Sequence, residues 1–521
     1  MEKRLLLAFA LSFVVLFAWS ALNPSAQKTE LKKPEVVANK KDTVEQSLVK
    51  TPAILEDSGV SINNEEIFTL ENEKIKVEFS NIGGSIKSIV VKEFNFSLPV
   101  TKIFTIDGTQ NSLFSFKQLT KNEISYTFQS DELKIIKTFK LSKNDYLVEA
   151  NVQTGDLSNL KIGGYVIDSS SLDEKYSKSH ERGLYEYSVG LFGQVIRKGN
   201  AIEFNEKENK DQSGEVSWMG YRDRYFCVVL KPKFKTESFS IFTNSKTKLS
   251  VALVPVKESS NSYSATLFAG PQNLHLLSSY KMGFENIMVF SNWGIFDIFA
   301  KMIYFFVHFL FSIFKSWGFS ILVLGVSLYA VTYPLTAKSM LSMRKMQALQ
   351  PKMKGLQEKY KNDPQRLNKE MMELYKENKV NPFGGCLPMV LQMPIFYGLY
   401  QVLWRSVDFK GASFLWITDL SLPDRLFILP TTLPFIGNEL NILPVLMAVI
   451  MFFQQKFTSR NMVISDPNQA MQQKMMGTLM PVMMGFIFYH FASGLALYFT
   501  VFYLLSTLTQ WKMSKVGAVE K

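Results

Sequence analysis

Gln392 is a side-chain amide in apolar company. From Cys386 to Trp404 the chain carries no charge for about 19 residues, close to the ~20 that a helix needs to cross a bilayer. An amide in hydrocarbon has no water to satisfy it, so it must face protein or a wet cavity. Just before this run, residues 336–383 are crowded with cations, among them Lys338, Arg344, Lys345, Lys352, Lys354, Lys359, Lys361, Arg366 and Lys369. Such a basic flank belongs on the cytoplasmic side of a membrane. A polar group inside a span, beside a charged hairpin, suits a device that handles polar chain within the membrane.

Other chemistry is sparse. The histidines at 180, 275, 308 and 490 have no metal-ligand spacing. No paired carboxylates with a well-placed histidine suggest catalysis, and no Gly-rich loop suggests phosphate binding, so no cofactor, metal or enzymatic activity is expected. His180-Glu181-Arg182 reads as a solvated polar loop. Cys227 and Cys386 fall in segments assigned to different compartments, which argues against a disulfide. The chain has 521 residues and a net charge of +12, with a pI near 9.2. That length allows two to four domains. The positive charge clusters beside apolar spans, which positive-inside topology explains better than specific nucleic-acid binding.

The elements that must position these residues follow in order. Glu2-Lys3-Arg4 precedes an apolar run of about 18 residues, too long for a signal-peptide core and without a clean cleavage site, so 1–22 is expected to be an uncleaved anchor. Residues 23–64 are polar and read as a flexible periplasmic tether. Over 65–283 the period becomes two: Ile75, Val77 and Phe79; Ile124, Tyr126 and Phe128; Val148, Ala150 and Val152; Leu249, Val251 and Leu253; Tyr263, Ala265, Leu267 and Ala269. Many short strands with Gly-rich turns, as at Gly83-Gly84 and Gly163-Gly164, predict an antiparallel β-sandwich.

Residues 284–315 are aromatic, with Asp297, Lys301, His308 and Lys315 tracing one polar stripe. This predicts an amphipathic helix lying on the periplasmic surface, an additional crossing helix being the alternative. A second span is expected over 316–335 and a cytoplasmic helical hairpin over 336–383. In that hairpin Met346, Leu349, Met353, Leu356 and Tyr360 form a helical seam, and Asp363 with Pro364 starts a second helix. A third span covers 384–404. An external loop, 405–441, has nearly balanced charges, and its prolines and Gly437 make 426–442 re-entrant or interfacial. A fourth span covers 442–457 and an inner loop 458–474. The spans 475–491 and 494–511, each only about 17 residues, form a tight hairpin at the low end of crossing length. The tail 512–521 returns to the cytoplasm. Eighteen of the 23 methionines lie from 340 onward, and flexible thioethers suit surfaces that meet many partners, although ordinary core packing explains them as well.

Asn381-Pro382-Phe383-Gly384-Gly385-Cys386-Leu387-Pro388, followed by Gln392-Met393-Pro394-Ile395-Phe396, resembles the signature of the YidC-type membrane protein insertases (YidC/Oxa/Alb family). Tyr333-Pro334-Leu335-Thr336, Leu349-Gln350-Pro351-Lys352, Asp466-Pro467 with Met471-Gln472-Gln473-Lys474, and Ser493-Gly494-Leu495 extend the likeness in the same order. The resemblance implies a polytopic α-helical bundle of six transmembrane helices, five forming the insertase core, plus a periplasmic β-sandwich similar in fold to sugar-converting domains. It implies a bacterial inner-membrane location with both termini cytoplasmic. The implied role is insertion and chaperoning of nascent membrane proteins, alone or with the Sec translocase, through a hydrated groove and without ATP hydrolysis. Implied partners are Sec translocon components, the ribosome and the phospholipid bilayer, with Lys352, Lys354, Lys359, Lys361 and Arg366 as hairpin contacts.

Carried over by position, Gln392, Tyr498 and Phe499 line the groove. Where the family commonly has an arginine, four residues before Tyr-Pro-Leu-Thr, this chain has Tyr329. Tyr329 shares a helix face with Gly325, Thr332 and Tyr333, so hydroxyls take the place of a fixed charge. Ala492 replaces a frequent proline, and Tyr503 a frequent asparagine. A less polar groove, handling more apolar clients, is the expectation. The competing reading is a solute or lipid transporter, but the spans after 316 show neither related halves nor a central charge.

Overall fold

Alternating apolar residues make strands wherever one face can be buried, and heptad-like spacing makes helices that bury a stripe. The computed structural model contains both. It describes residues 65–519 apart from 132, 156–159, 169–185, 193, 199–209, 246–247, 257–260, 292–293, 361–362, 382–386, 434–436 and 460–466. The expected anchor, the tether, His180-Glu181-Arg182, Lys361 and much of the 382–388 motif lie outside the described residues. The chain divides into two compact units, one formed by residues 1–223 and 228–270, the other by 224–227 and 271–521.

Among the described residues the first unit is an antiparallel β-sandwich built from sheets of nine, five and four strands. In the nine-stranded sheet Ser115–Thr120, Glu123–Gln129, Lys134–Leu141 and Leu147–Thr154 form a meander, with Ser262–Pro271 beside the last. Its pleat puts Phe139, Ala150 and Ala265 on one rung and Leu141, Val148 and Leu267 on another, all buried. Gly83 and Gly84 form a left-handed turn (φ +67° and +49°), and a Cβ on Gly83 would lie 2.9 Å from the Gln110 carbonyl oxygen. The Gly163-Gly164 pair marks a bulge, with the register slipping between Gly163 and Tyr165.

One inward position breaks the apolar pattern. Strand Lys134–Leu141 turns Ile135, Lys137, Phe139 and Leu141 inward, and Lys137 is 0% exposed. Its Nζ donates to the carbonyls of Gly83 (2.6 Å) and Phe104 (2.8 Å) and lies 4.8 Å from the Phe114 ring centre. Two acceptors match the two N–H bonds of a neutral amine. Burial without a carboxylate pulls the Lys137 pKa down to about 7.

In the second unit Asn273 caps a short helix, α1 (Leu274–Ser279). The long elements are α2 (Gly294–Phe314), α3 (Trp317–Ala348), α4 (Gln350–Lys359), α5 (Pro364–Glu377), α6 (Leu387–Arg405), α7 (Ile442–Ser459), α8 (Pro467–Phe488) and α9 (Ser493–Val519). Helix α9 packs on α7 and α3, α7 on α8, and α2 on α6 and α3. Among the described residues, α2 and the Trp317–Met343 part of α3 are long and apolar enough to cross a membrane by length and composition.

The polar stripe of α2 is occupied. Lys301 pairs with Asp297 (2.8 Å) and His308 with Asp408 (3.1 Å). The outer face carries Ile298, Met302 and Phe309 at about 60% exposure.

Several elements differ in extent from their sequence expectation. Helix α3 runs through Pro334 to Ala348 rather than stopping near Leu335, so the rest of the helix outweighs the lost N–H and the ring's clash with the carbonyl four residues back, together about 3 kcal/mol. The seam from Met346 to Tyr360 is interrupted at Leu349, between α3 and α4. Leu349 with Tyr375 and Val380 then forms a small core, flanked by Met346, Met353 and Met371. Asp363 caps α5 through the Arg366 N–H (3.0 Å), with Pro364 next, as its position predicts. Phe427–Leu433 and Gly437–Leu440 pair as two antiparallel strands, a setting in which an edge proline such as Pro430 is tolerated. Helices α8 and α9 have 22 and 27 residues, because polar helix formers extend both beyond their apolar stretches.

Candidate functional site

Packing in the helical unit is graded along the helix axes. Every residue of α9 from Ser493 to Thr500 is buried, whereas Leu504, Leu508 and Trp511 are exposed. Helix α3 buries Ile321 and Leu324 completely and then exposes Val331 and Leu341; α6, of opposite sense, buries Leu399 and Val402 and exposes Leu391 and Met393. The dense end carries the 406–425 loop, and the loose end carries the α4–α5 hairpin.

Polar side chains line the transition. Tyr498 is fully buried and its hydroxyl has no hydrogen-bond partner; the Gln392 Nε2 is buried and equally unpartnered. The two side chains are neighbours, but their geometry falls short of a hydrogen bond. Leaving such groups unpaired costs about 1–3 kcal/mol each. Toward the loose end the Tyr329 hydroxyl donates to Thr509 Oγ1 (2.5 Å), tying α3 to α9, and its ring meets Phe502 edge-on. Gln454 Nε2 donates to Ser506 Oγ (2.9 Å), tying α7 to α9. Gly325 brings α3 close to this spine: a Cβ there would touch Val501 and Tyr498 at 3.4–3.5 Å.

The residues singled out from sequence do not all share one surface. Tyr329, Gln392 and Tyr498 contribute to the polar seam. Thr332 is buried, but its hydroxyl returns to the Leu328 carbonyl (2.8 Å) of its own helix. Tyr333 is 44% exposed beside Tyr329. Phe499, beside Tyr498 in the buried 493–500 stretch, turns to a different face of α9, into an aromatic cluster with Phe396 and Phe488. Sequence reasoning missed Thr509, Ser506 and Gln454. No local signal pointed to them: the hydroxyls Thr500, Tyr503 and Thr507, spaced three and four apart, lie on the opposite face of α9 from Thr509. It also missed Gln401, whose buried Oε1 has no partner; nine residues beyond Gln392, it projects from the opposite side of α6. On the hairpin, Lys352, Lys359 and Arg366 are exposed and Lys354 half-buried, with Lys359 and Arg366 lying 5.2 and 5.3 Å from the Tyr360 ring centre.

A β-sandwich unit joined in one chain to apolar helices with a partly polar interior defines a membrane protein with a large extramembrane domain. Residues 98–306 match the family model described as YidC periplasmic domain, and residues 309–520 that of the 60Kd inner membrane protein. The chain is 31% identical over 558 residues to the membrane protein insertase YidC of Geotalea uraniireducens, covering 99% of each chain. It is 28% identical over 587 residues to that of Prosthecochloris aestuarii, covering 100% of this chain and 96% of the relative. A crystal structure of an active YidC insertase with its first transmembrane domain resolved overlays 86% of this chain and 93% of its own, at 18% identity and a TM-score of 0.37. The chain belongs to the YidC family of membrane protein insertases. It is an inner-membrane insertase with a periplasmic domain, and none of these likenesses favours a transporter.

Proposed function

We propose that newly made membrane proteins enter through the loose, hairpin-bearing end of the helical unit and meet the Tyr329, Gln392 and Tyr498 seam on their way into lipid. The observation that carries this reading is the pair of buried, unpartnered polar groups, Gln392 Nε2 and Tyr498 Oη. Moving a hydrophilic segment through hydrocarbon costs several kcal/mol per unpaired polar group. Groups already held without partners offer a crossing segment hydrogen bonds at little extra cost, while lipid accepts its apolar stretch. The driving force is burial of the client's own helix, about 25 cal/mol per Å², and no nucleotide hydrolysis is required.

The exposed basic hairpin supports a cytoplasmic placement of the loose end, by the positive-inside preference. With the N-terminal segment as an anchor, this gives six spans, α2 lying at the periplasmic surface and both termini inside. Lys352, Lys354, Lys359, Lys361 and Arg366 are then contacts for the ribosome or for Sec translocon components, and the protein works alone or beside that channel as insertase and chaperone.

The test is site-specific photocrosslinking. A probe at Gln392 or Tyr498 is expected to form adducts with a stalled nascent membrane protein, and a probe at lipid-facing Val449 far fewer. Equal yields at the three positions would remove the seam from the client's path.

A further inference from the structure

Leu415 occupies a turn position that suits glycine. Phe414 and Ile417 exchange both backbone hydrogen bonds (2.8 and 2.9 Å), leaving Leu415 and Trp416 as a two-residue tip. Leu415 has φ +52°, the left-handed region, which such tight turns fill with glycine or asparagine because a Cβ crowds its own backbone there. Strain of this kind persists only where something else imposes it. Burial is not what imposes it here: Leu415 is 74% exposed, and Trp416 beside it 38%.

The tip is held at the start of α7. The Trp416 indole donates to Asp424 Oδ2 (3.3 Å), and the same oxygen accepts the N–H groups of Ile442 (2.9 Å) and Leu443 (3.0 Å). Leu440, two residues before α7, lies opposite Phe427 in the strand register, so their side chains share a face; they are 37% and 61% exposed. The nearby charges are buried or paired. Asp424 is 2% exposed, and Arg425 Nε meets Glu439 at 2.9 Å. Exposed apolar side chains thus gather round one helix end instead of being scattered singly.

Helix α7 shows what covers them. Ile442, Val445, Leu446, Val449 and Phe453 are 42–49% exposed and lie within an arc of about 100°, the lipid-facing stripe of the helix. Yet its apolar part, Ile442–Phe457, is only about 24 Å long at 1.5 Å per residue, against about 30 Å of hydrocarbon. Lys456 marks the polar boundary at the far end, so the shortfall of about 6 Å lies beyond Ile442.

We propose that Leu415 and Trp416, with Phe427 and Leu440, form a lipid-binding surface that takes phospholipid acyl chains in the leaflet opposite the basic hairpin. The apolar surface of α7 is thereby extended towards the full hydrocarbon thickness. The indole suits the border, its ring in lipid and its N–H already satisfied within the protein. Glycine at 415 would relax the turn and give up the contact, which accounts for a leucine in a strained place.

Lipid quenching on the full-length chain, in nanodiscs of phosphatidylethanolamine and phosphatidylglycerol, tests this. With Cys227→Ser and Cys386→Ser as background, Ser413→Cys carries a fluorophore two residues from Leu415 and leaves the tip intact. Lys117→Cys, on an exposed strand of the β-sandwich, is the reference in water. The quenchers are a phospholipid with a nitroxide on its acyl chain and aqueous iodide. Nitroxide-lipid quenching is expected to be roughly threefold or more stronger at Ser413→Cys than at Lys117→Cys, and adding Leu415→Asp is expected to halve it at least. Leu415→Gly is expected to lower it as much while unfolding no earlier than the parent, because glycine accepts the left-handed φ. If Leu415→Asp does not accumulate, Leu415→Gly decides alone. Equal lipid quenching at the two reporters overturns the proposal, as does lipid quenching that neither Leu415 variant lowers. Protection of Ser413→Cys from both quenchers overturns it too, because protein, a second copy or another part of the chain, then covers the tip.

Discussion

Two sets of buried polar groups in the helical unit are treated in opposite ways. At the loop end Asp424, Asn441 and Ser493 are almost wholly buried, and each has protein partners. At the seam Gln392 Nε2 and Tyr498 Oη are buried and have none, and Gln401 Oε1 of α6 is left open in the same way. The first arrangement rigidifies; the second leaves hydrogen-bonding capacity unspent. Apolar substitution should therefore cost stability at the loop end and function at the seam.

The harshest way to break the comparison is at the loop. Gly318→Val would place carbon where the Phe414 ring lies, and several kcal/mol of destabilisation is expected. A thermal-unfolding midpoint in detergent within a degree of the parent would show that this end is not tightly seated.

The β-sandwich sharpens the contrast, because Lys137 is a buried polar group satisfied wholly by backbone carbonyls. Its folded pKa, about 7, lies below the ordinary lysine value. Between those two values the unfolded chain binds more protons, so stability rises as pH climbs from about 7 to about 10, by a few kcal/mol. Amide hydrogen exchange in strand Lys134–Leu141, corrected for intrinsic rate, should slow over that range. In Lys137→Met the correction should leave a flat profile.

At the seam the expected stability effects are smaller. Tyr329→Phe removes the bond to Thr509 and is expected to cost about 1 kcal/mol. Gln392→Leu exchanges an unpartnered amide for a methyl-bearing chain of similar size, so unfolding is expected to be unchanged or slightly later while client insertion falls. A loss of 2 kcal/mol or more there would mean that the amide is structural after all. The smallest effect expected is on selectivity. Tyr329→Arg should raise insertion of a client with an acidic translocated tail while leaving an apolar client unaffected, and equal yields for the acidic client before and after would dispose of the less polar groove.

Legibility followed sequence distance. The β pattern was readable because alternation is local: Ile75, Val77 and Phe79 are all 0% exposed. So was the Asp363–Pro364 helix start, whose donor is three residues away. Lys137 was not, since a lysine amid Ile135, Phe139 and Leu141 reads as a polar interruption until the Gly83 and Phe104 carbonyls arrive from elsewhere in the chain. The balanced charges of 405–441 looked like those of an ordinary outer loop. Asp408 and Asp424 instead hold partners 100 and 18 residues away. At the seam Tyr329 and Gln392 were legible as polar residues in apolar runs. The Tyr329–Thr509 bond spans 180 residues and left no local trace.

By itself the amino-acid sequence determined the alternating strands of the β-sandwich, which segments are apolar helices and where positive charge gathers, because those follow from neighbours within a turn or a pleat. Only the tertiary structure decided which buried polar groups are satisfied and which are left open. A hydrogen bond is made or lost over a few tenths of an ångström between residues that the chain holds far apart, and no periodicity carries that distance.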